Sequence, residues 1–356
     1  MVFTVKKTVL LLFSKNDLMY GMHQETYLTG VKPTGDIHLG NYFGAISPAL
    51  SLAKDQPSAK KFFFIADYHA LTTIKDTKQM SDYRYHVAAA WLAFFEGVEG
   101  CDFYFQSCIP EIFELYWILS CFCPKGLLNR AHAYKALTAQ NKGFGHDDDR
   151  NINQGVFSYP VLMAADILLF HATKIPIGPD QKQHVEIAID IVQHLNRQLQ
   201  VPIPVPEPVI QENTPLILGI DGQKMSKNYQ NTIPIFESEA ALKKQISKIQ
   251  TDSKPLGDPL NSNDCMVFQL HQLMASAEAT QQMQAEYSSG CIGYGHAKQR
   301  LLAAMLDFFS PARARFFELI HQRDQIDALI QSSLSNVQTV ATANLRAIKS
   351  SLGVSC

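Results

Sequence analysis

A chain of 356 residues, 46% hydrophobic and 18% charged, is too long for one ordinary core and too apolar for extensive disorder, so two globular domains are expected. Its formal net charge of −2 excludes a generally basic nucleic-acid binder, and any RNA partner has to be held by local lysine and arginine patches. Seven cysteines without paired Cys-x-x-Cys modules argue against a protein-held metal centre and for reduced cytosolic thiols, and no apolar run reaches the ~20 residues of a membrane span.

Val9–Phe13 behind Lys6 and Lys7 is faintly leader-like. It is shorter than the roughly 7–15 apolar residues of a secretory leader and lacks a small-residue cleavage site. Residues 1–21 are therefore expected to be an extension, with Met19 and Met22 as alternative starts. Tyr27 and Leu28 lead a strand into Thr29–Ala45, which turns at Pro33 and Gly35 and restarts as a helix at Leu39 (Tyr42, Phe43, Ile46, Leu50). A strand that breaks on small residues and re-enters as a helix points unpaired N–H groups at whatever lies above the sheet, usually phosphate. Gly40 is expected to let a nucleotide approach the backbone, and His38 and Asn41, three apart, to offer it neutral donors. An ordinary turn whose glycines serve packing alone is the alternative.

Lys61–Asp67 is an unbroken apolar run, so both faces of this strand must be covered. Helical spacing follows over residues 79–97, a strand over Phe103–Phe105 and a helix from Pro110 through Leu119. This alternation predicts an α/β fold: a doubly wound, Rossmann-like parallel sheet with ligands at the carboxyl ends of its strands. His69 sits at such an end. Residues 125–157 read as a long polar surface loop, with Arg130 and Lys135 on a charged face and Asp147–Asp149 in solvent. Val161–Phe170 is an apolar helix interrupted by Asp166, which has to be hydrogen-bonded or neutralised if buried. Lys174–Gly178 is a short strand, and a helix runs from Gln181 to Leu195, with His184 and Glu186 as structural members. Asp180 suits a ribose hydroxyl or a plain helix cap. The proline-rich residues 200–215 form a connector to a short strand, Pro215–Leu218, ahead of Lys224-Met-Ser-Lys227. From Asn228 onward only helices are predicted: 238–249, 264–277, 279–287, 294–309 and 311–333. Lys243, Lys244, Lys248, Lys298 and Arg300 there read as a solvated face more readily than as phosphate contacts.

His38-Leu-Gly-Asn41 and Lys224-Met-Ser-Lys-Asn228 resemble the two signatures of class I aminoacyl-tRNA synthetases. Between them, Tyr159-Pro-Val-Leu-Met-Ala-Ala-Asp-Ile-Leu168 and Gly178-Pro-Asp-Gln-Lys-Gln-His184 resemble the bacterial-type tryptophanyl-tRNA synthetases. The resemblance spans nearly everything after Met22. It implies a cytoplasmic homodimer that ligates L-tryptophan to tRNA(Trp) through a tryptophanyl-adenylate. ATP would carry its Mg²⁺ in with the phosphates. Residues 22–220, completed by a helix at about 320–356, would form the catalytic domain, and residues 221–319 a helical domain on the tRNA anticodon side.

The same resemblance assigns roles. Lys224 and Lys227, with His38 and Asn41, would be catalytic, stabilising the charge that builds on pyrophosphate. Lys32, Pro33, Thr34, Gly40, Gly178, Pro179, Asp180, Ile217, Met225, Ser226 and Asn228 would complete the ATP site. Asp166 would accept the indole N–H, a donor-only group, inside walls made by Met163, Tyr159, His69 and Gln181. Asn228 stands where the family usually has serine, Asn41 where it has a second histidine, and Lys32 where many relatives have glutamine. A tyrosyl-tRNA synthetase is the runner-up, although Met163 offers no partner for a hydroxyl's lone pairs. A nucleotidyltransferase that never meets tRNA would not need the helical extension. A non-catalytic paralogue is at odds with intact Lys224 and Lys227.

Overall fold

The computed structural model describes residues 25–178, 181–210, 216–255 and 257–355, and of Asn228 the backbone alone. The expected extension at residues 1–21, and Pro179 and Asp180, lie outside the described residues. Five parallel strands form one sheet in the order β3-β2-β1-β4-β5: β1 (Thr26–Val31), β2 (Lys60–Ile65), β3 (Cys101–Phe105), β4 (Lys174–Pro176) and β5 (Glu207–Val209). Strand β2 is buried on both sides because its side chains alternate between two cores. Phe63 and Ile65 enter one, and Phe62 and Phe64 the other. The chain moves outward from β1 to β3, then returns to the other side of β1 as β4. The order therefore reverses between β1 and β4, the position at which open α/β sheets bind ligands beyond their carboxyl ends.

After β1 the chain forms a single turn, α1 (Leu39–Asn41), a π-helical stretch over Tyr42–Ile46 and then α2 (Ser47–Asp55). The short α3 (Asp67–Ala70) and α4 (Thr77–Phe94) follow β2, and α5 (Glu111–Phe122) follows β3. Three departures from the sequence reading occur here. The loop expected over residues 125–157 contains a helical turn, Lys125–Leu128, and a helix, α6 (His132–Gly143), and ends early, because α7 (Gln154–Leu169) already starts at the Asn153 cap. Asn141 draws the intervening turn back with two bonds to the carbonyls of Asp148 and Arg150. After α8 (Lys182–Leu195), the proline-rich connector supplies β5. Pro208 is tolerated because β5 is an edge strand, where a missing N–H costs no ladder bond. Residues 216–218 form only an isolated bridge, Leu218 to Lys224, instead of the expected strand.

The remaining chain is helical: α9 (Glu239–Ser247), α10 (Met266–Gln272), α11 (Ala277–Ser289), α12 (Tyr294–Phe308), α13 (Ser310–His321) and α14 (Arg323–Ser351). Lys298 donates to the carbonyls of Ser247 and Ile249 at the end of α9, and Arg300 is paired with Glu286 at 2.7 Å. Both cations are thus committed to internal partners. One helix was expected over 311–333, but the backbone breaks at Gln322 (φ −130°), with neither proline nor glycine to announce it. The break lets α14 pass from one core, through Ile326 and Ile330, to the other, through Leu334, Val337 and Leu345. On the way it covers the outer edge of β3, where Ser333 accepts from Phe103 N (3.2 Å) and Asn336 donates to Asp102 (2.5 Å). An open strand edge is thereby closed.

Candidate active site

Two joined cavities lie at the sheet's reversal point. The larger, about 610 Å³, runs from Leu28, Gly30 and Phe64 to Met163, Asp166 and Gln181. The smaller, about 290 Å³, is walled by His38, Met225, Ser226 and Lys227. Val31, Lys32, Thr34 and Asn41 line both. Gly30 is required where they approach, since a β-carbon there would meet the Phe64 ring at 2.3 Å.

The smaller cavity is built from both ends of the sequence. His38 and Asn41 cap α1 reciprocally: Asn41 N donates to His38 Nδ1 (3.3 Å), and His38 N to Asn41 Oδ1 (3.2 Å). Because Nδ1 accepts, the ring proton sits on Nε2. Burial, reinforced by the Lys227 charge, lowers the His38 pKa to about 4, so the ring is a neutral donor at physiological pH. Residues 233–235 run antiparallel to 37–39, with Leu39 N to Ile233 O at 3.0 Å and Ile235 N to Ile37 O at 3.0 Å. This pairing carries the Lys224–Lys227 segment over α1, where Met225 Sδ accepts from Gly40 N at 3.4 Å. Gly40 is thus approached by the protein's own side chains: a β-carbon would lie 3.0 Å from the His38 ring. Lys227 crosses the turn at Gly35, whose φ of +125° suits only glycine. Burial lowers its pKa to about 8, against the opposing pull of Asp36. Lys224 is exposed. Ile217 lines neither cavity; it is buried and accepts from Met225 N (2.9 Å).

Asn231 holds this loop together, and nothing in the sequence pattern singled it out. Only 1% exposed, it donates to Asp221 Oδ1 (2.8 Å) and Lys224 O (3.1 Å) and accepts from Ser226 N (2.7 Å). Gly219 is glycine for this reason, as a β-carbon there would meet the Asn231 amide at 2.3 Å. Asn231→Ala is expected to loosen the Lys224–Lys227 segment, speeding amide hydrogen exchange at Ser226 N, which loses its acceptor, by roughly 10- to 100-fold.

In the larger cavity Asp166 is fully buried on α7 among apolar neighbours. It accepts from Gln106 Nε2 at both oxygens (2.8 and 2.9 Å) and pairs with His69 Nε2 at 2.9 Å. Burial raises its pKa, and the bonds from His69 and Gln106 oppose the rise. Met163 and Tyr159 lie on the same helix and His69 on α3. Tyr159 Oη is bonded to His184 Nε2, whose Nδ1 meets Gln181 Oε1 at 3.0 Å. His184 therefore braces two of the expected pocket residues from behind. Lys32 Nζ donates to Thr72 Oγ1 (2.9 Å) at the seam of the two cavities. Pro33 is buried in the turn, and Gly178 O accepts from Gln181 N (3.0 Å) at the start of α8. Arg130, Lys135 and Asp147–Asp149 are exposed and line neither cavity.

The family described as class I tRNA synthetases (W and Y) matches residues 22–310. The chain belongs to the class I tRNA synthetases for tryptophan and tyrosine. The synthetase is 44% identical over 333 residues to the tryptophan–tRNA ligase of Pseudomonas aeruginosa, covering 92% of this chain and 73% of that one. It is 40% identical to the Campylobacter jejuni tryptophan–tRNA ligase over 92% and 99% of the two chains. The crystal structure of tryptophanyl-tRNA synthetase from C. jejuni complexed with ADP and tryptophan superposes with a TM-score of 0.84 at 39% identity, over 92% of this chain and 99% of that chain. Tyrosyl-tRNA synthetase from Archaeoglobus fulgidus, with a TM-score of 0.59 and 16% identity, shares the fold.

Proposed function

We infer that this synthetase ligates L-tryptophan to tRNA(Trp), through a tryptophanyl-adenylate. The observation that supports this most is one fully buried carboxylate, Asp166, the only carboxylate among the described residues that line the larger cavity, which shares a wall with a second cavity edged by Lys32 and Lys227. Indole has one donor and no acceptor, so an acceptor-only group selects it over phenyl. Met163, Tyr159 and His69 wall the ring, and Gln181 meets the amino acid's backbone groups.

The carboxylate of tryptophan attacks the α-phosphorus of Mg·ATP, a P–O bond forms, and the bond to pyrophosphate breaks. Neither a strong base nor an acid is needed, since the attacking group is already ionised and the leaving group is good. Lys224 and Lys227 neutralise the departing charge, and His38 Nε2–H and Asn41 donate to the phosphates. Lys32, Pro33, Thr34, Gly40, Gly178, Pro179, Asp180, Met225, Ser226 and Asn228 complete the nucleotide site, and Ile217 supports it from beneath by accepting from Met225 N. Mg²⁺ enters with the phosphates and keeps most of its waters. A hydroxyl of the terminal tRNA ribose then attacks the acyl carbon and AMP leaves.

Residues 22–220 with about 320–356 act as the catalytic unit, and residues 221–319 as the unit facing the anticodon side. The enzyme works as a cytoplasmic homodimer. The exposed Phe113 and Trp117 on the outer face of α5 support a subunit contact there. Among the described residues no helix is long and apolar enough to cross a membrane. ATP–pyrophosphate exchange measured with each amino acid in turn tests the substrate: tryptophan is expected to drive exchange, and exchange driven by tyrosine instead would overturn the reading.

A further inference from the structure

Gln106 belongs to no motif, yet it makes the closest polar contacts to the residue on which amino-acid choice depends. It is fully buried, opens the turn after β3, and places its Nε2 at 2.8 and 2.9 Å from the two oxygens of Asp166, so that one N–H is shared between them. Its orientation is dictated by chemistry, since the flipped amide would set its oxygen against the carboxylate. Among the described residues, Gln106 Oε1 is buried without a partner. That cost is hard to reconcile with a side chain present only to fill space.

The residues flanking Gln106 are fixed in place. Ser107 donates to Asp67 through its backbone N (3.0 Å) and its hydroxyl (2.6 Å). Arg84 lies over the Phe105 ring at 4.1 Å and reaches Asp67 Oδ2 at 2.8 Å. The amide is therefore held between two clamped neighbours and delivered to Asp166 from behind, outside the cavity lining.

We infer that Gln106 is a positioning and specificity-determining residue for the amino acid: its N–H, forked between both oxygens, holds Asp166 as a fixed, ionised acceptor. This rests on the assignment of Asp166 to the indole N–H. A buried carboxylate without such donors takes up a proton and becomes a hydroxyl donor on one oxygen. In that state it loses its preference for an N–H and tolerates rings that present an acceptor. The titratable groups facing Asp166 are His69 from α3, Asp67 at the head of α3 and Tyr104 from β3. All three are unchanged when Gln106 alone is replaced, so a comparison with the unsubstituted enzyme isolates the amide.

The test uses Gln106→Met, which keeps length and volume and removes the donor amide. Tryptophan-dependent ATP–pyrophosphate exchange is followed between about pH 6 and about pH 8. In the variant, the KM for tryptophan at the lower pH is expected to exceed that at the higher by on the order of tenfold more than in the unsubstituted enzyme, with kcat at saturation changed by less than about threefold. Exchange with 3-(benzofuranyl)alanine, whose ring has an acceptor and no N–H, is expected to improve relative to tryptophan. A KM with the unsubstituted enzyme's pH profile, or a loss confined to kcat, would overturn the inference. Asp166→Ala, assayed alongside, separates the two levels. If it keeps the original KM, the indole assignment itself fails. If it is crippled while Gln106→Met is not, only the role of Gln106 fails. Carboxyl-¹³C NMR of the full, unsubstituted chain, with Asp166 identified through Asp166→Asn, gives a reading independent of any Gln106 variant. An ionised Asp166 under the conditions of the exchange assay is expected, and a protonated one overturns the inference.

Discussion

Asp166→Ala is expected to reduce kcat/KM for tryptophan in ATP–pyrophosphate exchange by at least about 10³-fold, the scale on which a site built to bond one polar group discriminates against its loss. The loss should exceed that of an ordinary hydrogen bond for two reasons. The indole nitrogen would enter the cavity without its carboxylate acceptor, and the amide of Gln106 and the ring of His69 would lose their shared partner. Stability is expected to respond less than activity, because removing a fully buried carboxylate also removes its desolvation cost. Thermal unfolding measured beside the exchange assay checks this. A thermal midpoint close to that of the unsubstituted protein, with exchange abolished, is the expected pair of results. Full activity in the variant would sink the pocket assignment.

The second large effect is expected at Lys227. Lys227→Met should lower kcat for exchange by on the order of 10²- to 10³-fold, comparable with removing one donor from a preorganised anion site, while the KM for tryptophan stays within about threefold. The pH dependence supplies a second signature. Burial lowers the ammonium's pKa to about 8, so the free enzyme carries this charge below that value and loses it above. The kcat/KM for ATP, which reports groups of the free enzyme, should accordingly fall as pH rises through about 8. In Lys227→Arg the guanidinium stays charged across that range, and the alkaline fall should disappear or move higher. A profile unchanged between lysine and arginine would assign the alkaline limb to another group.

Much of the α/β half was legible before any coordinates. Lys61–Asp67 reads as a strand covered on both faces because the apolar run Phe62–Ala66, without a polar break, cannot face water on either side, and the parallel β2 is buried in that way. The alternation of short apolar runs with helical spacing pointed to the parallel sheet. The elements misread were those whose conformation depends on partners distant in sequence. Helix α6 is polar, with no fully buried residue, so no periodicity announces it. Strand β5 is three residues long and contains a proline, and only the ladder to β4 makes it a strand. The break at Gln322 carries no helix-stopping residue, so no local signal marks it.

The same division runs through the site. The residues that present chemistry to a ligand, such as His38, Asp166 and the 224–227 loop, stand in short segments whose residue types already declare donors, acceptors and cations. The chain by itself thus determined which groups are available. Their surroundings came only with the tertiary structure. Asp166 lies 60 residues from Gln106 and 97 from His69 in sequence, and no local pattern can show that three side chains from separate elements share one hydrogen-bond network. Likewise only the pairing of residues 233–235 with 37–39 sets Met225 on Gly40 and Lys227 over the Gly35 turn. Burial and long-range pairing, which decide pKa and reach, are properties of the packed chain, whereas the type of each group is a property of the residue.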